Sequence, residues 1–451
     1  MNKYKASSYN VVSEALDGGL LIQNHLYNCN VKIDARHRER LLPFLSGGEY
    51  DYADLPLGEE LIRVKIFVKS EIDEKRLVDY HCNDIVYSND VLHISIIPSD
   101  ACNFKCKYCY ESSQTHFMSA EIVGGIKNYI TKAAKKYRGI YISWYGGEPT
   151  LAADSVLDIM QHAKMECRKN AIPLYGQMTT NGYLLTTDLF KSLLSNHVMS
   201  YMITIDGTME THNLQRPHKT DGDSYSVILR NLKQIRDQIH NNNFRIGIRI
   251  NITPQILPHL KEYVDVISRE FGYNNRFGII WEWVKDWGGE QICHNYDLVM
   301  ESYESTEYEQ YLEYINQTGL QIDRGQAHSQ LGSEMCIASR KNGFTINFDG
   351  NVYKCAMALY DTSLNDLNCI GYLRENGELV IDEYLNALWV GQGDLPEECG
   401  KCNHYPECMG LLCPLAMKIR KVFSCPRILS KEEGYVARNI EALGKFRMLG
   451  D

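Results

Sequence analysis

At 451 residues with a formal net charge of −10, 44% hydrophobic residues and 23% charged residues, the chain is long enough for about three domains and is neither disordered nor collagen-like. No stretch reaches the roughly 18 consecutive apolar residues of a membrane span, and residues 1–10 (MNKYKASSYN) lack the apolar core of a signal peptide. The acidic balance argues against a general nucleic-acid binder, so a cytoplasmic protein with no nucleic-acid or membrane partner is expected. Fifteen cysteines, most in tight CxxC-like groups, read as metal ligands more readily than as a disulfide framework.

From Tyr4 to about Asp90, β-like runs on either side of the turn signal Gly18-Gly19 give way to helical patterns at Asp34 to Leu45 and Leu55 to Val68. From His93 to about Val284 strands alternate regularly with helices. The strand candidates are 93–99, 140–147, 174–182, 201–207, 245–253 and 277–284, separated by helical stripes such as Val156, Ile159, Met160, Ala163 and Ile228, Leu232, Ile235, Ile239. Six βα units imply a parallel sheet with right-handed crossovers, either a complete or partial TIM-like barrel or an open doubly wound sheet. Ligands gather at the carboxyl ends of such strands. From about Glu301 the alternation fades into a loop-rich, cysteine-rich stretch that a metal would staple.

Just after the first strand of the series comes Cys102-Asn-Phe-Lys-Cys106-Lys-Tyr108-Cys109. Three thiolates this close suit an iron–sulfur cluster, and three ligands for four irons would leave one iron open to a small molecule. Buried thiols, or a zinc site lacking a nearby fourth ligand, are the alternatives on spacing alone. The chain here resembles the radical S-adenosylmethionine (SAM) superfamily, with its CxxxCxΦC signature, Φ being Tyr108. The likeness continues through Gly146-Gly147-Glu148-Pro149 after the second strand, similar to the family's GGEP segment, and through Thr180-Asn181-Gly182 after the third. Thr204-Ile-Asp206-Gly207 with Arg216 resembles the fourth-strand SxDG…R pattern, with Thr204 where Ser is usual. The resemblance implies that these positions contact the amino group, ribose and carboxylate of SAM. It also implies that one electron from the cluster cleaves SAM to a 5′-deoxyadenosyl radical, which takes a hydrogen from the substrate.

The second constellation is Cys336, Cys355, Cys399, Cys402, Cys408, Cys413 and Cys425. It resembles the SPASM domain, which adds two auxiliary [4Fe–4S] clusters to radical SAM enzymes that modify peptides and proteins; on spacing, Cys399, Cys402, Cys408 and Cys413 would serve a zinc site equally well. The resemblance assigns Cys336, Cys355 and Cys413 to cluster I, and Cys399, Cys402, Cys408 and Cys425 to cluster II. Four residues rather than the usual three precede Cys413, so Cys369 is an alternative ligand. Cys29, Cys82, Cys167 and Cys293, and Cys369 outside that role, read as small apolar residues.

Residues 4 to about 90 resemble the winged-helix-like recognition unit of many maturases of ribosomally made peptides, which adds a leader peptide as an extra strand to a sheet edge. The expected architecture is therefore α/β: a peptide-recognition domain (1–90), a partial (β/α)6 TIM-like radical SAM barrel (91–310) and a SPASM domain (311–451). With SAM and three [4Fe–4S] clusters, and a flavodoxin- or ferredoxin-type electron donor, the enzyme would install a thioether or carbon–carbon cross-link in a precursor peptide. Formylglycine formation, as in anaerobic sulfatase maturation, is the first competitor; a non-catalytic iron–sulfur carrier or zinc scaffold is another. The sequence points to no general base. His212 and His218 read as solvated loop residues, and Trp281-Glu282-Trp283 either lines the cavity or packs in the core.

Overall fold

Short runs of alternating character on both sides of Gly18-Gly19 do form a hairpin. In the computed structural model, which describes residues 3–111, 114–284, 310–311, 314–315, 317–322, 335–411, 413–421 and 446–449, β1 (Lys3–Ala6) is followed by β2 (Asn10–Glu14), β3 (Leu20–Asn24) and β4 (Cys29–Ile33). Asp34 caps α1 (Ala35–Leu45) by accepting from the Arg36 amide. β5 (Tyr50–Asp51), α2 (Gly58–Arg63), β6 (Phe67–Lys69) and α3 (Glu74–Tyr87) complete the unit. The helix expected over Leu55 to Val68 is thus confined to Gly58–Arg63. Leu57 and Lys65 both hold positive φ, which stops the helix on either side, and the apolar Phe67 and Val68 are buried in a strand paired with β1.

The βα series is as regular as its hydrophobic pattern. β7 (Val91–Ile96), α4 (Ala120–Lys136), β8 (Gly139–Trp144), α5 (Ala153–Lys169), β9 (Leu174–Thr180), α6 (Thr187–Ser195) and β10 (Val198–Thr204) lead to α7 (Met209–Gln215) and α8 (Ser224–Gln238). β11 (Arg245–Ile252), α9 (Leu260–Phe271) and β12 (Phe277–Trp283) follow. The six strands pair in parallel in chain order. Val156, Ile159, Met160 and Ala163 are fully buried against the sheet, as their helical spacing requires. The outcome is a partial barrel rather than a closed one.

The cysteine-rich stretch holds more sheet than its composition suggested. β13 (Gly343–Ile346) pairs in parallel with β7, and β14 (Asn351–Tyr353), β15 (Cys369–Leu373) and β16 (Leu379–Ile381) continue antiparallel, so one ten-stranded sheet runs from β12 to β16. β17 (Arg447–Leu449) returns to the N-terminal unit, pairing in parallel with β4 and burying Leu449 beside Ile22, Val31 and Ile33. Among the described residues no helix is long and apolar enough to cross a membrane.

One titration follows from this packing. His93 on β7 lies against Tyr141, ring centroids 5.4 Å apart, and burial, with Arg340 adding to it, pulls its imidazole from 6.5 down to about 4. The unfolded chain takes up a proton that the folded chain refuses. The contribution is intact above pH 6.5 and is lost as pH falls toward 4, by up to about 3 kcal/mol. Urea midpoints compared at pH 7 and pH 5 should therefore drop less for His93→Phe than for the parent chain; equal drops would acquit His93.

Candidate active site

The loop carrying Cys102, Cys106 and Cys109 leaves the carboxyl end of β7 and is strapped on two sides. Lys105 and Lys107 amides donate to Pro217 and Gln215 carbonyls, each at 2.9 Å, and the Lys219 amide donates to the Asn103 carbonyl. On the other side the Ser99 hydroxyl accepts from the Ala101 amide and donates to the His116 carbonyl, while Asp100 accepts from the His116 amide and faces its ring Nδ1 at 2.8 Å. Burial pushes all three thiols up, Cys102 to about 12 with Glu148 adding to it. Without a cation these sulfurs keep their protons; metal coordination supplies the charge that turns them into thiolates.

The segment after β8 nests against this loop because it has no side chains to keep it away. Gly146 holds φ +113, and a Cβ there would lie 2.5 Å from Ile97; one on Gly147 would lie 2.3 Å from the Ala101 carbonyl oxygen. The Glu148 amide then donates to that carbonyl at 2.8 Å. The Glu148 carboxylate is almost wholly buried. Its Oε1 accepts from the Thr150 amide, the Thr150 hydroxyl and the Thr180 hydroxyl, and its Oε2 from the Asn181 amide at 2.7 Å. Four internal donors thus occupy most of the carboxylate's acceptor capacity and lock the ends of β8 and β9 together. Pro149 opens the turn into α5. The Asn181 side chain reaches the Asn103 side chain at 2.7 Å, tying β9 to the cysteine loop as well.

A second network closes the other side. Asp206, just beyond β10 and Thr204, is fully buried; its Oδ1 accepts from the Asn251 amide at 2.7 Å and its Oδ2 from the Tyr108 hydroxyl. Arg216 donates to the same hydroxyl, lies 3.8 Å from Asp206 and stacks over Phe104 and Tyr108. Burial raises the Asp206 carboxyl, and Arg216 opposes that rise. His212, expected in solvent, is fully buried and accepts from the Asp206 amide through Nδ1 at 3.1 Å. His218 stacks on Tyr183 at 4.2 Å instead of pointing outward. Trp281 and Trp283 belong to the main core, packed edge to face.

A further buried group was not legible in the sequence. Tyr110 and Tyr145 share a hydrogen bond, both hydroxyls face the Met357 sulfur, and the Tyr110 ring packs edge-on against Tyr360. Glu111 lies among them, its carboxyl pushed up to about 7 by burial and by Glu148, with Tyr145 opposing. Met357 and Tyr360 lie some 250 positions downstream of Tyr110, with no motif to link them.

Met357 follows Cys355 by two residues. Cys336, Cys355 and Cys413 pack together around Ala338, Ala358, Trp389 and Leu415. Burial pushes Cys355 up to about 12, with Cys336 adding to it. Lys354 is fully buried, donates at 2.8 Å to the Arg340 and Gly343 carbonyls, and is pulled down to about 7 by burial while Cys336 opposes. Cys369 sits apart on β15, beside Tyr353. Cys399 and Cys402 pack with Tyr9, Leu26 and Val78 of the N-terminal unit, and Cys408 accepts from the Gly410 amide. Cys425 and Cys293 lie outside the described residues. Among the described residues no three thiols lie within 4.8 Å of one another, the spacing a single ion needs.

Residues 96–263 match the Radical SAM superfamily, and the chain carries a radical SAM domain over that span. Proteins of that superfamily use SAM and a [4Fe–4S] cluster, and the match spans somewhat over a third of this chain. The radical SAM cyclopropyl synthase TigE of Paramaledivibacter caminithermalis is 25% identical over 187 residues, 38% of this chain and 37% of that protein; the match thus spans little more than a third of that relative's length. The cysteine-type anaerobic sulfatase-maturating enzyme of Clostridium perfringens is 21% identical over 333 residues, covering 69% of this chain and 86% of that enzyme. Among solved structures, native anSMEcpe with bound AdoMet and Cp18Cys peptide superposes with a TM-score of 0.54 at 19% identity, over 79% of this chain and 98% of that one. That likeness is one of fold.

Replacing Glu148 by Gln places an amide NH2 where only donors converge. Glu148→Gln should cost about 2–3 kcal/mol, read as a lowered urea midpoint, and Glu148→Asp should not restore it. A midpoint unchanged within error would show that the carboxylate knot does not hold the site together.

Proposed function

We propose that the chain modifies a ribosomally made precursor peptide, installing an intramolecular thioether or carbon–carbon cross-link. The observation that carries this reading is the contact of Met357 with Tyr110 and Tyr145. Through it, the segment bearing Cys336, Cys355 and Cys413 meets the Cys102–Cys109 loop at a shared half-buried wall beside the buried Glu111.

In this reading Cys102, Cys106 and Cys109 hold the SAM-binding cluster, and Gly146, Gly147, Thr180, Asn181, Thr204, Asp206 and Arg216 surround SAM. When bound, that pair supplies a 5′-deoxyadenosyl radical for hydrogen abstraction. The chain's own residues position and exclude. The glycine turn would let backbone approach the cofactor, Asp206 and Arg216 fix Tyr108 within the cysteine loop, and the Tyr110–Tyr145–Met357 wall would keep water from the substrate carbon. Glu148, with most of its acceptor capacity already used, acts here as a positioning residue and has little left for the SAM amino group. Cys336, Cys355 and Cys413, with the buried Lys354 beside them, hold one auxiliary cluster; Cys399, Cys402, Cys408 and Cys425 hold the other. Each link removes two hydrogens from the peptide, one as an atom to the deoxyadenosyl group and one as a proton and an electron; a cluster held by Cys336, Cys355 and Cys413 would supply the acceptor for that electron.

Residues 1–90 would bind the leader along a free strand edge. β2 is an edge of its sheet, as are β5 and β6 of theirs, among the described residues. Formylglycine formation is the second reading, favoured by a match that covers 86% of the Clostridium perfringens maturating enzyme.

Two experiments test the proposal. Co-expression with candidate precursor peptides should yield a product lighter by two hydrogens per link with its sulfur retained, as read by tandem mass spectrometry. Loss of sulfur would favour formylglycine, and an unchanged mass would sink peptide modification for the peptides tried. The same peptide without its leader should be processed at under a tenth of the rate. Cys106→Ala should abolish 5′-deoxyadenosine formation, whereas Cys355→Ala should retain it and lose the link; a Cys355→Ala enzyme that still cross-links would remove the auxiliary cluster from the reaction.

A further inference from the structure

The only group of three or more His, Cys, Asp or Glu donors at single-ion spacing among the described residues is not made of thiols. It is His25, His404 and Glu407, whose ligand atoms lie within 4.8 Å of one another. His25 comes from the turn between β3 and β4, held there by its amide bond to the Tyr9 carbonyl and by the Asn24 side chain, which accepts from the Leu26 and Tyr27 amides. His404 caps, and Glu407 lies within, the short helical turn Tyr405–Cys408 in the cysteine-rich segment. The set therefore joins the two regions at a point where Leu26, Val78, Tyr405 and Met409 pack around it.

The donors are arranged for a cation. Residue exposures are 4% for His25, 8% for His404 and 2% for Glu407. His25 Nδ1 lies 2.5 Å from Glu407 Oε1, His404 Nδ1 lies 3.3 Å from Oε2, and the rings stand edge to face with centroids 4.6 Å apart. A tetrahedral zinc with bonds of about 2.0–2.1 Å holds its donors roughly 3.3 Å apart; the His404–Glu407 contact has that spacing, and the His25–Glu407 contact opens by under 1 Å to reach it. Neither His25 nitrogen makes a hydrogen bond of acceptable geometry within the described residues.

We propose that His25, His404 and Glu407 bind one zinc ion through nitrogen and oxygen, separate from every cysteine site, and that this ion staples the N-terminal unit to the cysteine-rich segment. Imidazole with carboxylate is a donor set zinc accepts readily. Two residues from the cysteine-rich segment and one from the N-terminal unit make the site incomplete until the two have docked, so ion binding adds to the stability of the docked state.

The test uses the full chain, reconstituted with iron and sulfide under anaerobic conditions, given one equivalent of zinc(II) and gel-filtered. About one zinc per chain should remain. Absorption at the zinc edge, blind to iron, should show a first shell of nitrogen and oxygen only. His25→Ala and Glu407→Gln should each lower bound zinc at least tenfold while iron and sulfide contents stay as in the parent. A sulfur shell would place the zinc on cysteines and overturn the proposal; so would less than 0.2 zinc per chain in the parent, as a proton-bridged His–Glu pair predicts, or zinc retained by both variants. The parent's shell decides the matter if either variant fails to fold.

Discussion

The Glu148 carboxylate is the constraint on which the candidate active site depends. A carboxyl group this deeply buried is tolerated because four donors reach it, and those donors come from the turn after β8 and the end of β9. With the strand ends joined in this way, the backbone after β8 can lie directly on the Cys102–Cys109 loop, as Gly146 and Gly147 permit. Asn181 adds a second tie through Asn103. Three loops from three strands are thereby fixed relative to one another before any ligand arrives, the condition under which a cofactor binds without an ordering cost.

The second network works by the same logic with opposite charge. Arg216 is buried and held by Asp206, the Tyr108 hydroxyl and two aromatic faces. Tyr108 is thus clamped from both sides. The aromatic position of the cysteine motif is, in this chain, a structural hub linking the cysteine loop, β10, β11 through Asn251, and the turn after α7.

Much of this was legible in the sequence because local periodicity reports local burial. Val156, Ile159, Met160 and Ala163 announced their helix face, and each motif residue sits at the strand end its position implied. The failures have physical causes too. Leu55 to Val68 is apolar enough for a helix, but positive φ at Leu57 and Lys65 breaks it, and no sequence rule assigns such angles to Leu or Lys. His212 looked solvated because its partner is a backbone amide beyond β10, invisible to side-chain pattern. The Tyr110–Met357 contact and the pairing of β13 with β7 join positions some 250 residues apart, and chain-order reasoning has no means of finding them. The His25, His404 and Glu407 group escaped for the same reason.

The pairing of β17 with β4 bears on how the molecule is made. More than 400 residues separate these strands, so the sheet of β2, β3 and β4 lacks its fourth strand until residues 447–449 have emerged from the ribosome. At roughly 5–20 residues per second that wait is on the order of 20–90 s. Parallel pairing across such a loop forms slowly in any case, since closure entropy must be met before contacts repay it. The same delay applies to β13, which cannot join β7 until some 250 further residues have been made. Docking of the cysteine-rich segment onto the βα series is therefore a late event in folding, after the six parallel strands have been made.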